Sequence, residues 1–114
     1  AKRWGEQWRQ VQAIAREAGR DPGDIAPATY LTLAVDEDAA KAEHRMDAFM
    51  SAYYGRRPDV AKKREVCFAG PASAATEWLK GYVEAGSRNL VLRFAGEHER
   101  QLELFAKLRE KLGA

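Results

Sequence analysis

The sequence predicts an α/β fold with parallel strands, on three observations. Two runs of strand length, Thr29–Val35 and Asn89–Phe94, are dominated by Leu, Val and Phe. The first run is apolar or small on both faces, which suits a strand covered on both sides rather than a half-exposed antiparallel one. Helical periodicities flank and separate the two runs, and strands joined through helices require crossover connections.

Each element follows from local pattern. Trp4, Trp8, Val11, Ala15 and Ala18 recur at helical spacing and make one apolar face, with Gln7, Arg9, Arg16 and Glu17 off it. Gly19 and Pro22 then stop that helix, and "GRDPGDI" reads as a helix stop followed by the approach to a strand. In the first strand Leu31, Leu33 and Val35 share one face, and Tyr30, Thr32 and Ala34 the other. Asp36 or Asp38 is placed to cap the next helix, whose stripe is Ala39, Ala42, Met46, Phe49, Met50 and Tyr53 and whose end is Gly55. "RRPDVAKKREV" is polar and basic, a loop or a short helix after Pro58, and "VCFAG" is a candidate strand fragment. Gly70-Pro71 opens a third main helix, with Pro71 expected at the first helical position and Ala75, Trp78, Leu79, Tyr82 and Val83 on its stripe. In the last strand Leu90, Leu92 and Phe94 oppose Val91 and Arg93, and a final helix from about Glu97 is expected to bury Leu102, Phe105, Leu108 and Leu112.

Composition narrows the function classes. With 114 residues, 46% hydrophobic and 32% charged, the chain suits one folded domain and not a disordered segment. A formal net charge of +2 argues against nucleic acid or a membrane surface as partner. The single Cys67 excludes an internal disulfide. No apolar run reaches the length of a membrane span and no signal-peptide pattern opens the chain, so a cytoplasmic location is expected. Two strands alone leave unpaired edges, which implies either pairing with a second copy in a homo-oligomer or excision from a larger sheet. The chain also opens at once in helix-like sequence, from which a truncated start is expected.

An ordered set of motifs carries a family resemblance. "AREAGRDPGDI", "LTLAVDEDAAKAE" and "FAGPASAATEWLKGYVEAGSRNLVLRF" together resemble the C-terminal third of the luciferase-like flavin-dependent oxidoreductases. These include bacterial luciferase, alkanesulfonate monooxygenases and reductases that use the deazaflavin coenzyme. The resemblance covers roughly residues 8–108. It implies an eight-stranded β/α (TIM-type) barrel of about three times this length, with Thr29–Val35 as seventh and Asn89–Phe94 as eighth strand. Residues 1–114 are then a single partial domain, the C-terminal segment of the barrel. The first six strands and the loop that holds the flavin phosphate would lie upstream, and neither GxGxxG nor a Walker-type loop occurs here. The implied parent uses FMN or a deazaflavin coenzyme on a small organic substrate, as monooxygenase or reductase. The fragment alone is expected to be inactive and to hold no cofactor tightly, and its partners are the remainder of the barrel or a second copy.

Candidate site residues follow from position on the strands. Arg93 lies near the C-terminal end of its strand, the end at which barrel enzymes do chemistry, and a cation there suits a phosphate or a reduced flavin. Gly96, just beyond, is the second candidate for cofactor contact. His98 has the chemistry of a general acid or base, against the competing reading of a helix-start residue. The basic cluster Arg56, Arg57, Lys62, Lys63 and Arg64 reads as a solvated loop partly neutralised by Asp59 and Glu65, with contact to a cofactor's anionic tail as the alternative. His44 reads as a surface residue and Cys67 as a small buried one, and no metal site is expected. Two rival functions remain open: a small α/β binding or assembly module that dimerises through open strand edges, and an unrelated small enzyme using Arg93 and His98.

Overall fold

The computed structural model describes residues 1–113. The elements are α1 (Lys2–Glu17), β1 (Ala28–Val35), α2 (Ala39–Tyr54), α3 (Pro58–Arg64), β2 (Cys67–Gly70), α4 (Ala72–Glu84), β3 (Asn89–Phe94) and α5 (His98–Lys111). A short 3-10 turn, Pro22–Asp24, occupies the centre of "GRDPGDI", where the Asp21 carboxylate accepts the Gly23 N–H at 2.9 Å.

The strands form one parallel sheet in the order β2-β1-β3. "VCFAG" is therefore a true strand, making three strands where the strong patterns supplied two. Thr32 to Val35 pair with Cys67 to Gly70 on one edge of β1, and Ala28 to Leu33 pair with Asn89 to Phe94 on the other. From β1 the chain crosses to β2 on one side and then to β3 on the other. Right-handed crossovers in opposite directions put their helices on opposite faces of the sheet.

The burial pattern matches that rule. Leu31, Leu33, Val35 and Phe94 pack with Ala75, Leu79 and Tyr82 of α4 and Phe105 and Leu108 of α5. On the other face, Ala34 and Ala95 pack with Met46 and Met50 of α2 and Ala61 of α3. The result is a three-layer unit with helices on both sides. A closed barrel keeps helices on its outer face only, so α2 and α3 here lie on the face that a barrel would turn inward.

Local signals explain most boundaries. Asp38, rather than Asp36, caps α2 by accepting the N–H groups of Ala40 and Lys41. Gly55 closes that helix in the left-handed conformation, φ +62°, which a side chain would resist. Pro71 stands at the capping position just before α4, one residue earlier than expected. α1 is covered less than its pattern suggests. Val11 and Ala18 are exposed, because this helix packs mainly against the 3-10 turn and α4. Tyr53 and Val83 are also exposed.

The expected stripe of α5 needs a larger correction. Leu102 is 59% exposed, and the buried position beside it belongs to Gln101, which is 1% exposed. The Gln101 amide accepts the Val35 N–H and donates to the Val35 carbonyl, both at 3.0 Å. It thereby satisfies the last backbone groups of β1 in an apolar setting, where unpaired groups are costly. A leucine at this place offers no such partner. Gln101→Leu is expected to lower stability by about 2 kcal/mol or more, since it strands a buried donor and acceptor. Urea denaturation measures this, and a loss below about 0.5 kcal/mol would mean Val35 finds other partners.

Candidate functional site

The C-terminal ends of β1 and β3 are where an open parallel sheet places its ligands, at the point where the crossovers diverge. Asp36 follows β1 directly. Its carboxylate accepts the Asp38 N–H at 2.8 Å and an Arg45 N–H at 3.1 Å. Those bonds hold the Asp36 carboxyl below its usual range, with the Asp38 backbone bond as the main cause and Arg45 helping. Arg45 also reaches Glu97 at 3.3 Å, and Glu97 reaches Arg100 at 3.5 Å. Four charged groups from the β1 end, α2 and the start of α5 thus form one mutually neutralising chain.

Gly96 sits inside this chain of charges. Its φ of +86° favours glycine, and an added Cβ would meet the Arg45 side-chain stem at 3.4 Å. The space beside it is therefore filled from within the protein. A cleft of about 230 Å³ lies alongside, bordered by Asp36, Glu37, Arg100, Glu103 and Lys107. Its size falls below the roughly 300–1,000 Å³ usual for ligand clefts. Carboxylates outnumber cations on its walls. Arg45 Nη1 is a buried donor without a partner among the described residues, and one spare N–H does not make a phosphate cradle. The residues present do not fit a whole flavin or deazaflavin.

Arg93 is held elsewhere. It lies on the α2 face of β3, half-buried, and its guanidinium donates from Nε and Nη2 to the Thr32 hydroxyl at 3.2 and 3.0 Å. Nη2 also donates to the Tyr54 hydroxyl. The rings of Tyr30, Phe49, Tyr53 and Tyr54 surround it, with centroids 5.2, 5.0, 4.5 and 5.4 Å from the guanidinium carbon. Burial works against the charge, but the Tyr54 bond and the neighbouring phenols outweigh it, so the pKa lies above the ordinary arginine value. Among the described residues no carboxylate pairs with Arg93; the rings take that role through cation–π attraction.

The other candidates are placed apart from it. His98 is exposed at the first residue of α5, which packs on the opposite face of the sheet. Arg93 and His98 are thus not brought together. His44 is exposed on α2. In the basic cluster Arg57 pairs with Asp59 at 2.7 Å, and Lys62 pairs with Glu43 and Asp47 of α2 at 3.1 and 2.6 Å. Those two α2 carboxylates are partners that reading α3 alone does not supply. Cys67 is half-buried beside the second core cluster, and burial pushes its thiol pKa up, which disfavours a reactive thiolate. Among the described residues no group of three His, Cys, Asp or Glu is placed to hold a metal, and no helix is long and apolar enough to cross a membrane.

Sequence reasoning missed Gln101, the Asp36–Arg45–Glu97–Arg100 chain and the ring cluster around Arg93. A partial signal for the last exists: Phe49, Tyr53 and Tyr54 share the final turns of α2, and Phe49 and Tyr53 stack at 5.3 Å.

Comparison with known proteins adds one relative. Over 56 residues the chain is 34% identical to a 5,10-methylenetetrahydromethanopterin reductase from Methanolobus tindarius. The match covers 49% of this chain and 17% of that protein, so the chain corresponds to a small part of the relative's length. No family model matches the chain, and no solved structure does. The chain is thus similar, over about half its length, to an oxidoreductase.

Arg93→Lys is expected to lower stability by about 1–3 kcal/mol, because a single ammonium cannot fork between Thr32 and Tyr54 while lying flat on the rings. Thermal unfolding with tyrosine fluorescence reads both the loss and the loosening of Tyr54; an unchanged melting temperature would make the ring cluster incidental.

Proposed function

We propose that this chain is the C-terminal part of a luciferase-like oxidoreductase whose parent acts on a small organic substrate with a deazaflavin coenzyme, FMN being the alternative. The 56-residue match to a reductase carries this reading, because it agrees with the ordered motifs that resemble the same family and favours hydride transfer over oxygen activation. In the parent the cofactor supplies the redox chemistry, and the protein binds it, orients it and excludes water.

In this reading β1 and β3 are neighbouring barrel strands, as their direct parallel pairing allows. Closure then requires α2 and α3 to leave the inner face and the upstream strands to complete the sheet. The cofactor site would come largely from those upstream parts, which accords with the small, internally neutralised cleft at the strand ends here. The chain alone is expected to show no saturable binding when FMN or the deazaflavin coenzyme is titrated and followed by fluorescence. Micromolar affinity for either would overturn the fragment reading.

A second reading rests on a different observation. Among the described residues β3 pairs on one edge only, and Val91 on it and Tyr30 beside it are 48% and 55% exposed. An open, partly apolar edge favours an assembly module in which β3 meets β3 of a second copy. Light scattering behind size exclusion is expected to give a dimer mass if this reading holds, and a strictly monomeric chain removes it.

A further inference from the structure

On the face opposite Arg93, a groove of about 460 Å³ lies between the end of α4, β3 and the end of α5. That volume lies within the range of small-molecule clefts. Val83, Leu90, Leu92, Phe105 and Leu112 form its floor and walls. Among the described residues its charged lining consists of Arg88, just before β3, and Arg109, in the last turn of α5. Among the described residues no Asp or Glu lines it and neither arginine is ion-paired. Ser87, the remaining polar side chain of the lining, is already engaged, accepting from the Thr29 hydroxyl at 2.7 Å and donating to the Asn89 carbonyl at 3.2 Å. The Arg88 backbone is fixed in place, its N–H bonded to the Pro27 carbonyl at 3.0 Å.

We propose that this groove binds an amphipathic anion, an aliphatic carboxylate whose chain lies on the leucines and whose head group meets the arginines. The two halves of the argument are independent. Val83 is exposed and Leu90, Leu92 and Leu112 are partly exposed, so these side chains gain by covering, whatever covers them. Two guanidiniums without carboxylate partners select a negative head, and their planar forks suit a carboxylate. The site is separate from the strand ends and does not depend on the reading of the parent enzyme.

Dodecanoate, below its micellar concentration, is the probe. Titration into the chain, followed by 13C methyl NMR, is expected to shift Val83, Leu90, Leu92 and Leu112 saturably, while the methyl groups of Met46 and Met50 beneath α2 stay fixed. The double variant Arg88→Glu, Arg109→Glu is expected to bind about tenfold more weakly, the loss of one charge-assisted contact or more. Both residues are exposed, and far-UV circular dichroism verifies that the variant keeps its fold. Val83→Trp, which fills the groove, is expected to abolish the shifts. Three results overturn the proposal: unchanged affinity in the double variant, equal binding of dodecyltrimethylammonium, or methyl shifts that follow protein concentration without ligand. The last would assign the groove to a second copy of the chain.

Discussion

The structure depends on the enclosure of β1 from Leu31 to Val35. It alone has strands on both edges and helices on both faces, and Leu31, Leu33 and Ala34 are fully buried. Enclosure of this kind leaves no water to satisfy the backbone, so every group along that stretch must find a partner in the protein. β2 and β3 supply most of them. Where β2 ends, the Asp36 N–H still reaches the Gly70 carbonyl at 3.0 Å, and Gln101 completes Val35 from the other face. The position of α5 is tied to that need as much as to its apolar stripe.

A second constraint follows on the opposite face. α2 must be held against a sheet surface that includes Thr32 and an arginine, both unsuited to a purely apolar contact. The solution is to surround Arg93 with aromatic rings and hydroxyls, so the charge becomes the fastener between sheet and helix. The same economy operates at the strand ends, where Asp36, Arg45, Glu97 and Arg100 satisfy one another. Polar groups are largely used internally. Two partly apolar patches stay open among the described residues: the free edge of β3 and the groove behind it.

These features bear on function through what the unit lacks. Its radius of gyration of 15.7 Å exceeds the ~13 Å expected of a compact domain near this size, as befits a sheet too narrow for its helices to wrap. The similarity to a reductase covers 56 residues, about half of this chain and 17% of that protein.

How much of this was legible beforehand depended on the range of the interaction. Helix stops at Gly55 and Pro22 and the two long strands are local, set by residues within a turn or a pleat of one another, and the sequence alone determined them; it narrowed the α2 cap to Asp36 or Asp38, and the structure chose Asp38. It also placed Arg93 and Phe94 on opposite faces, because strand alternation has a fixed period. The β2 pairing was not legible, since a four-residue run becomes a strand only when a neighbour accepts its hydrogen bonds. Nor was the burial of Gln101 in place of Leu102, because a polar residue inside a helix stripe makes sense only beside the strand end it completes. The partners of Arg93 come from β1 and from α2, up to 63 residues away in the chain, counted from Tyr30. Whether that arginine faces a ligand or locks a helix was decided by tertiary structure alone: only the fold brings four rings and two hydroxyls to one guanidinium, and only their proximity stands in for an anion.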